Sequence, residues 1–200
     1  MSKRIVDIVL ALSGIILLAP LLLICYVAVV LSSPGPALFR HKRVGFSGRT
    51  FECLKFRTMV PDASERLQEL LEADPAAQAE WAATRKLQND PRVTAIGALL
   101  RKSSLDELPQ LYNVLRGEMS IVGPRPVTEE ELDRYATSLD SYLSCRPGIT
   151  GLWQVSGRSG TSYEKRVACD VYYAHNWSMV LDAKIIVVTI PALLSTDGAC

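Results

Sequence analysis

The chain has 200 residues, 48% hydrophobic and 22% charged, which excludes a disordered or fibrous polypeptide. Its 22 basic and 21 acidic side chains leave a formal net charge of +1, so bulk charge gives no ground for nucleic-acid binding. The five cysteines are scattered without CxxC spacing, which argues against a disulfide framework or a zinc site and predicts free thiols in a reducing compartment.

The first predicted element is a membrane segment. From Ile8 to Leu31 there is no charge, and only Ser13, Gly14 and Pro20 interrupt the hydrophobic residues. A straight helix of that length would measure about 36 Å, against about 30 Å for a bilayer core. That is too long for the apolar part of a signal peptide. A spanning anchor and a re-entrant hairpin that enters and leaves on one face both remain open. Pro20 favours a bend at the middle, because it removes a backbone donor and clashes with the preceding turn. Lys3 and Arg4 precede the run, and Arg40, Lys42 and Arg43 follow it. Basic flanks prefer the cytoplasmic side, so both ends belong on one face and the hairpin is expected. Residues 1–36 form this element with its exit turn, Ser32-Ser33-Pro34-Gly35-Pro36, and residues 37–200 form one cytosolic body.

Ala37 to Arg43 and Phe51 to Met59 read as short strands around a turn at Gly45 and Gly48. In the second strand Lys55 and Arg57 alternate with Phe56, which sends both cations to one face and the ring to the core. Asp62 to Gln88 is helical by composition, with Asp62 or Ser64 as N-cap and Leu67, Leu70 and Leu71 as apolar stripe. Pro75 starts a second helix through Trp81. A turn at Asn89-Asp90-Pro91 leads to a short apolar element, Val93 to Leu100. One helix is predicted over Leu105 to Leu115, stopped by Gly117, and an amphipathic one over Val127 to Asp140. Gly151 to Gly160 is rich in Gly and Ser and contains Trp153. Tyr163 to Tyr173 reads as helix, and Ile185 to Leu194 is an apolar stretch suited to the core or a membrane surface.

The densest chemistry lies between Arg101 and Pro126. Ser104 and Glu107 match a capping box, S-x-x-E, which would leave Asp106 an ordinary acid in a helix first turn. The other reading takes Asp106 and Glu107, among Arg101, Lys102, Arg116 and Arg125, as a phosphate site. A carboxylate beside a phosphate needs basic groups or a divalent cation to suppress repulsion. It can also serve as the nucleophile and give an acyl phosphate. Arg125 stands between Pro124 and Pro126, so its guanidinium fork rides on a stiff turn suited to phosphate oxygens. The stretch RPGITGLWQVSGR, Arg146 to Arg158, allows close backbone approach to a ligand but fits neither G-x-G-x-x-G nor a P-loop. Its indole suits base stacking or a membrane interface. His41 and His175 lack ligand spacing and read as structural.

Five blocks together resemble the monotopic phosphoglycosyl transferases, or bacterial sugar transferases. They are the apolar segment with its central proline, KFRTM, NDPRVTAIGALLRKSSLDELPQLYNVLRGEMSIVGPRP, RPGITGLWQVSGR and DVYYAHNWSMVLDAKI. The resemblance covers nearly the whole chain and is greatest to galactose-type enzymes that prime exopolysaccharide synthesis. It implies an α+β, mainly helical fold: a re-entrant membrane helix, a small cytosolic catalytic domain and interfacial amphipathic helices. The implied reaction moves a sugar 1-phosphate from a UDP-sugar to polyprenol (undecaprenyl) phosphate, releases UMP and uses Mg²⁺. A phosphosugar is carried on Asp106, with Glu107 as its partner, and both acids are the expected metal contacts. Lys55, Arg101, Arg125 and Asp170 match positions lining the family's active site, and Arg57, Arg146 and Arg158 complete the expected phosphate-binding set. The implied location is the bacterial inner membrane, with the catalytic domain at the cytoplasmic leaflet and no nucleic-acid partner. A homodimer stays open, as does a non-catalytic adaptor or regulator of polysaccharide assembly. One departure is Ala19 before Pro20, where many members have serine, so no hydroxyl is available to bond a freed carbonyl at the break.

Overall fold

The computed structural model describes residues 2–84, 87–156 and 162–194. It is mainly helical with two small sheets, as expected. Helix α1 (Ser2–Ser32) is a single helical element that contains Pro20. One stripe of α1 faces the body, and Asp7, Ala11, Cys25 and Val29 are fully buried along it. Their spacing follows the helical period, so the buried face runs nearly the length of the helix. The opposite face is apolar and exposed, with Leu17 at 78% and Leu31 at 81%.

The basic residues in the first turn of α1 do not simply flank the apolar run. Lys3 Nζ donates to Asp182 at 2.6 Å and to the Val122 carbonyl at 3.0 Å. Arg4 donates to the Val114 and Leu115 carbonyls, capping the last turn of a helix. Both cations are therefore committed to the body, and they cannot be read simply as headgroup-seeking flanks. Inside the helix, Asp7 accepts from Ser120 Oγ and the Ile121 amide, which satisfies a carboxylate in an otherwise apolar run.

After the exit turn, β1 (Leu38–Val44) and β2 (Thr50–Phe56) pair antiparallel, with Phe39 opposite Lys55 and His41 opposite Cys53. Helices α2 (Ala63–Ala73) and α3 (Pro75–Thr84) follow, divided at Pro75 as predicted. Asp62 precedes α2 but makes no capping bond; its carboxylate pairs with Arg66 at 2.8 Å. The apolar element near residue 93 is helix α4 (Ala95–Lys102), capped by the Thr94 side chain, which accepts from the Gly97 amide. Gly97 is required there: a Cβ would lie 2.0 Å from the Thr58 carbonyl oxygen.

The predicted helix over Leu105 to Leu115 is two pieces. Leu105–Glu107 forms a single 3₁₀ turn, and α5 (Gln110–Arg116) begins only after Pro109. Gly117 ends α5 at φ 81°, as expected of a left-handed C-cap. Asn113 ties α5 to β2, accepting from the Leu54 amide and donating to the Glu52 carbonyl. Strand β3 (Ser120–Val122) pairs in parallel with β4 (Gly148–Thr150), a contact the sequence did not signal.

The amphipathic stretch after Val127 is broken into α6 (Glu129–Leu132), a 3₁₀ segment and α7 (Leu139–Leu143). Helices α8 (Leu152–Val155), α9 (Tyr163–Asn176) and α10 (Met179–Leu194) complete the chain. Four apolar clusters hold these elements. The first joins Ala11 of α1 to Phe51, Leu111, Val114 and Met119, and the second joins Cys25 and Val29 to Ala37, Phe56 and Leu100. Two more gather Val122 with Tyr173 and Ile185, and Val127 with Tyr135 and Tyr142. Cys25, Cys53, Cys145 and Cys169 are free thiols, as expected; Cys200 lies outside the described residues.

Candidate active site

The β1–β2 hairpin, the 105–107 turn and the segment around Arg125 enclose a cavity of about 960 Å³. Alternation places Phe39, His41 and Arg43 of β1 on the wall, with Cys53 and Lys55 across from them. Close contact between Gly97 and Thr58 brings α4 onto the chain just beyond β2. That contact lets Arg101, in the last turn of α4, donate Nε to Thr58 Oγ1 at 2.9 Å and face the same cavity.

Ser104 then turns the chain. Its φ of 55° is left-handed, a conformation that costs a non-glycine residue about 1–3 kcal/mol and gathers at functional sites. The expected capping box at Ser104 is therefore absent, because no side-chain cap bond forms. Glu107 instead accepts from Lys55 Nζ at 2.6 Å. The capping box of this region belongs to Thr128 and Glu131. With the chain turned, Asp106 points inward and is 8% exposed.

Burial is the main cause that pushes the Asp106 carboxyl up to about 6. The Lys55 ammonium, 3.9 Å from its Oδ2, opposes the shift; Glu107 adds to it and Arg101 opposes it. Asp106 is then about nine-tenths ionised at pH 7. Such a carboxylate is charged but poorly solvated, the state in which a nucleophile is least masked by water.

Arg125 emerges from the Pro124–Pro126 turn with its guanidinium 5.7 Å from the Trp153 ring centre. It makes no hydrogen bond or ion pair among the described residues. A guanidinium left without a carboxylate in a recessed cavity is a ready anion contact. Behind it, Arg166 packs against Trp153 at 5.1 Å and Tyr163 at 5.0 Å, while Glu131 takes ion pairs from Arg43 at 3.0 Å and Arg166 at 3.7 Å. Of these, Arg43 lines the cavity and was not expected from the sequence to be a site residue, while Glu131 and Arg166 stand behind the wall. Arg166 lies four residues before Asp170 on α9, hence on the same inward helix face.

The cavity thus collects Lys55, Arg57, Arg101, Asp106, Glu107 and Arg125 of the predicted set. Arg57 is at one end and is partly committed, donating Nη2 to the Ser33 carbonyl at 2.6 Å and to Ser33 Oγ at 3.0 Å. Two of the expected residues lie apart from the cavity in this structure. Asp170 does not line the cavity: it is 1% exposed, accepts from Tyr135 at 2.7 Å and sits in the tyrosine-lined core. Arg146 is turned away, donating to the Gly117 carbonyl at 2.9 Å with its guanidinium over Phe46. Arg158 lies outside the described residues. His41 stands in the cavity wall, and burial holds its imidazole below the usual range, with Arg43 and Lys55 adding to the effect.

Residues 1–196 match the family model described as Bacterial sugar transferase. The chain belongs to that family. It is 52% identical to the exopolysaccharide production protein ExoY of Sinorhizobium fredii, across 99% of this chain and 88% of that protein. It is 55% identical to the UDP-galactose-lipid carrier transferase of Erwinia amylovora over 98% of this chain, which is only 41% of that longer protein. A third relative is the UDP-glucose:undecaprenyl-phosphate glucose-1-phosphate transferase of Caulobacter vibrioides, 44% identical over 100% of this chain and 72% of its own length. The resemblance carried by the sequence blocks is therefore borne out. The Asp106 cavity is the candidate active site of a bacterial sugar transferase.

Proposed function

We propose that this sugar transferase moves a hexose 1-phosphate, galactose 1-phosphate first among the candidates, from a UDP-sugar to polyprenol phosphate and releases UMP. The observation that carries the reading is one recessed carboxylate, Asp106, sharing a cavity with Lys55, Arg101 and Arg125, the last unpaired among the described residues. The relatives named for UDP-galactose and UDP-glucose transfer support the substrate class and leave the hexose to experiment.

In the first step an Asp106 oxygen attacks the phosphorus that bears the sugar. The bond to the UMP oxygen breaks, UMP leaves with the electron pair, and an acyl phosphate joins Asp106 to the sugar phosphate. In the second step a phosphate oxygen of the acceptor attacks the same phosphorus, and the Asp106 carboxylate is expelled unchanged. Lys55, held in place by Glu107, and the guanidinium groups of Arg101 and Arg125 offset the charge that develops on the transferred group.

Among the described residues no three His, Cys, Asp or Glu side chains cluster as a metal cage. Two adjacent acids, Asp106 and Glu107, suit Mg²⁺ held by one or two carboxylates plus substrate phosphates. Such an ion supplies charge neutralisation at the diphosphate and at the leaving UMP.

The membrane element is read as re-entrant, with the body at the cytoplasmic face of the inner membrane. Support comes from both ends of α1. The Lys3–Asp7 end is bonded to β3, α5 and α10, and the Cys25–Val29 end packs on Ala37, Phe56 and Leu100. A helix crossing to the far face would carry one of these ends away from the body. The exposed faces of α1 and α10, with Val187 at 65% and Ile190 at 59%, supply further apolar surface for the bilayer.

The decisive measurement is UMP release from a panel of UDP-sugars with undecaprenyl phosphate added. Release with one or two hexoses, with a hexose-phosphate mass on Asp106 when the acceptor is withheld, is expected. No release from any UDP-sugar overturns the transferase reading.

A further inference from the structure

Arg43 of β1, Arg125 of the proline-flanked turn and Arg166 of α9 gather along and behind one wall of the cavity. Strand β1 lies beside the Arg125 turn because the Val44 amide donates to the Val127 carbonyl at 2.9 Å. The Tyr142 hydroxyl clamps the same junction, donating to the Val44 carbonyl at 2.7 Å and accepting from the Val127 amide at 3.2 Å. From α9, Arg166 packs on the Trp153 ring, and that ring also meets Arg125. Three like charges held this close repel one another unless an anion stands among them.

Glu131 is that anion. Its carboxylate accepts from the Thr128 amide at 2.9 Å and from Arg43 Nη1 at 3.0 Å, and Arg166 Nη1 lies 3.7 Å from its other oxygen. Among the described residues it is the only carboxylate ion-paired with Arg43 or Arg166. Asp170, one turn further along α9, is bonded to Tyr135 instead. Burial raises the Glu131 carboxyl, but the Thr128 amide with Arg166, Arg43 and Arg125 more than offsets this and holds it below the usual glutamate range. A capping box needs only an oxygen acceptor at this position, which glutamine supplies as well as glutamate. The negative charge is therefore explained by the two guanidinium groups and not by the cap. Arg43 also lines the cavity, so an unpaired Arg43 would compete with Arg125 for any anion bound there.

We propose that Glu131 is a positioning residue for the transfer: it holds Arg43 and Arg166 back, so that Arg125 is the guanidinium of this wall left free for the phosphate. The inference rests on the reading of this cavity as the transferase site. It gives Glu131 a second effect, on product release. With Glu131 neutral the wall gains one net positive charge, UMP is held more tightly, and turnover slows at its departure.

The test uses the full chain in nanodiscs and the variant Glu131→Gln, which keeps the capping acceptor and removes only the charge. UMP affinity, measured by calorimetry, should rise at least about threefold, the scale of one added charge several Å from an anion. The kcat should fall at least about threefold while KM for the UDP-sugar does not rise. Loosened structure would move both binding readouts the other way. Adding Arg43→Gln to that variant should return UMP affinity to within about twofold of the parent chain, because the net charge is restored. Unchanged or weaker UMP binding by folded Glu131→Gln, or no reversal by the second substitution, overturns the proposal. The parent chain offers a test that no folding defect can spoil. With 2,3-butanedione, Arg125 should be modified before Arg43 and be protected by UMP; Arg43 reacting as fast as Arg125 overturns the proposal. Failure of the parent chain to bind UMP would instead count against the transferase reading, and the order of arginine modification would then decide this one.

Discussion

Two buried carboxylates separate the working part of this molecule from its scaffold. Burial pushes both Asp106 and Asp170 up to about 6, and each has guanidinium groups within electrostatic reach. Asp106 opens onto the cavity, follows a left-handed serine and has Lys55 beside it. Asp170 is sealed by the Tyr135 hydroxyl, and Tyr135 in turn stacks on Tyr142 at 4.9 Å. A perturbed carboxylate therefore identifies a reactive group only when a substrate can reach it.

Breaking the Asp106 side should have the largest effect. Asp106→Asn should lower UMP release by at least about 1000-fold, as loss of a covalent nucleophile does. The same change should not destabilise the fold. A raised carboxylate pKa means the folded state binds its proton more tightly, so stability falls as pH rises from 3.8 through about 6. Neutral asparagine removes that cost at pH 7, worth up to about 2–3 kcal/mol in a denaturant titration. A variant that is inactive because it unfolds would erase the contrast.

Arg125→Ala comes next, with a loss of about 100-fold in kcat/KM, the usual effect of deleting one charge-stabilising donor. Acidification is milder and tests the same carboxylate without mutation. Because Asp106 must be ionised to attack, kcat/KM should fall about tenfold between pH 7.5 and pH 5 along a limb centred near 6. A flat profile through that range would remove Asp106 from the attacking role.

On the scaffold side, Tyr135→Phe leaves Asp170 without its donor and should cost about 1–3 kcal/mol in thermal or denaturant unfolding. Activity per folded molecule should stay within about twofold. A catalytic loss as large as that of Asp106→Asn would show that the two regions are not separable. The smallest effect belongs to Arg146→Ala, since its side chain serves the surface near Gly117; donor and acceptor KM should move less than about twofold.

Much of this was legible in the sequence because it rests on local rules. Pro75 and Gly117 mark boundaries through backbone geometry alone, and the Asp106–Arg125 block carries the phosphate chemistry within 20 residues. The features that were not legible depend on partners far along the chain. Ser104 and Glu107 satisfy the capping pattern, yet Lys55 outcompetes the amide for Glu107, and Pro109 ends the turn. Asp170 and Arg146 have the residue types of a phosphate or metal site; only tertiary packing shows one sealed by Tyr135 and the other turned toward Gly117. The parallel β3–β4 pair was hidden for the same reason, as each strand has only three residues.

The bonds made by the start of α1 also set an order of events during synthesis. Lys3 and Arg4 leave the ribosome early, but the Val114 carbonyl comes 110 residues after Arg4 and Asp182 comes 179 residues after Lys3. At about 5–20 residues per second the Lys3 ammonium waits roughly 10–35 s for its partner. Arg4 and Asp7 have their partners sooner, at Val114–Leu115 and Ser120–Ile121, so Lys3 is the last of the three to be matched. The stripe of α1 is covered by Ala37, Phe51, Phe56, Leu100, Leu111, Val114 and Met119, all made by residue 119, so the apolar packing of α1 can precede the Lys3–Asp182 bond that locks its first turn.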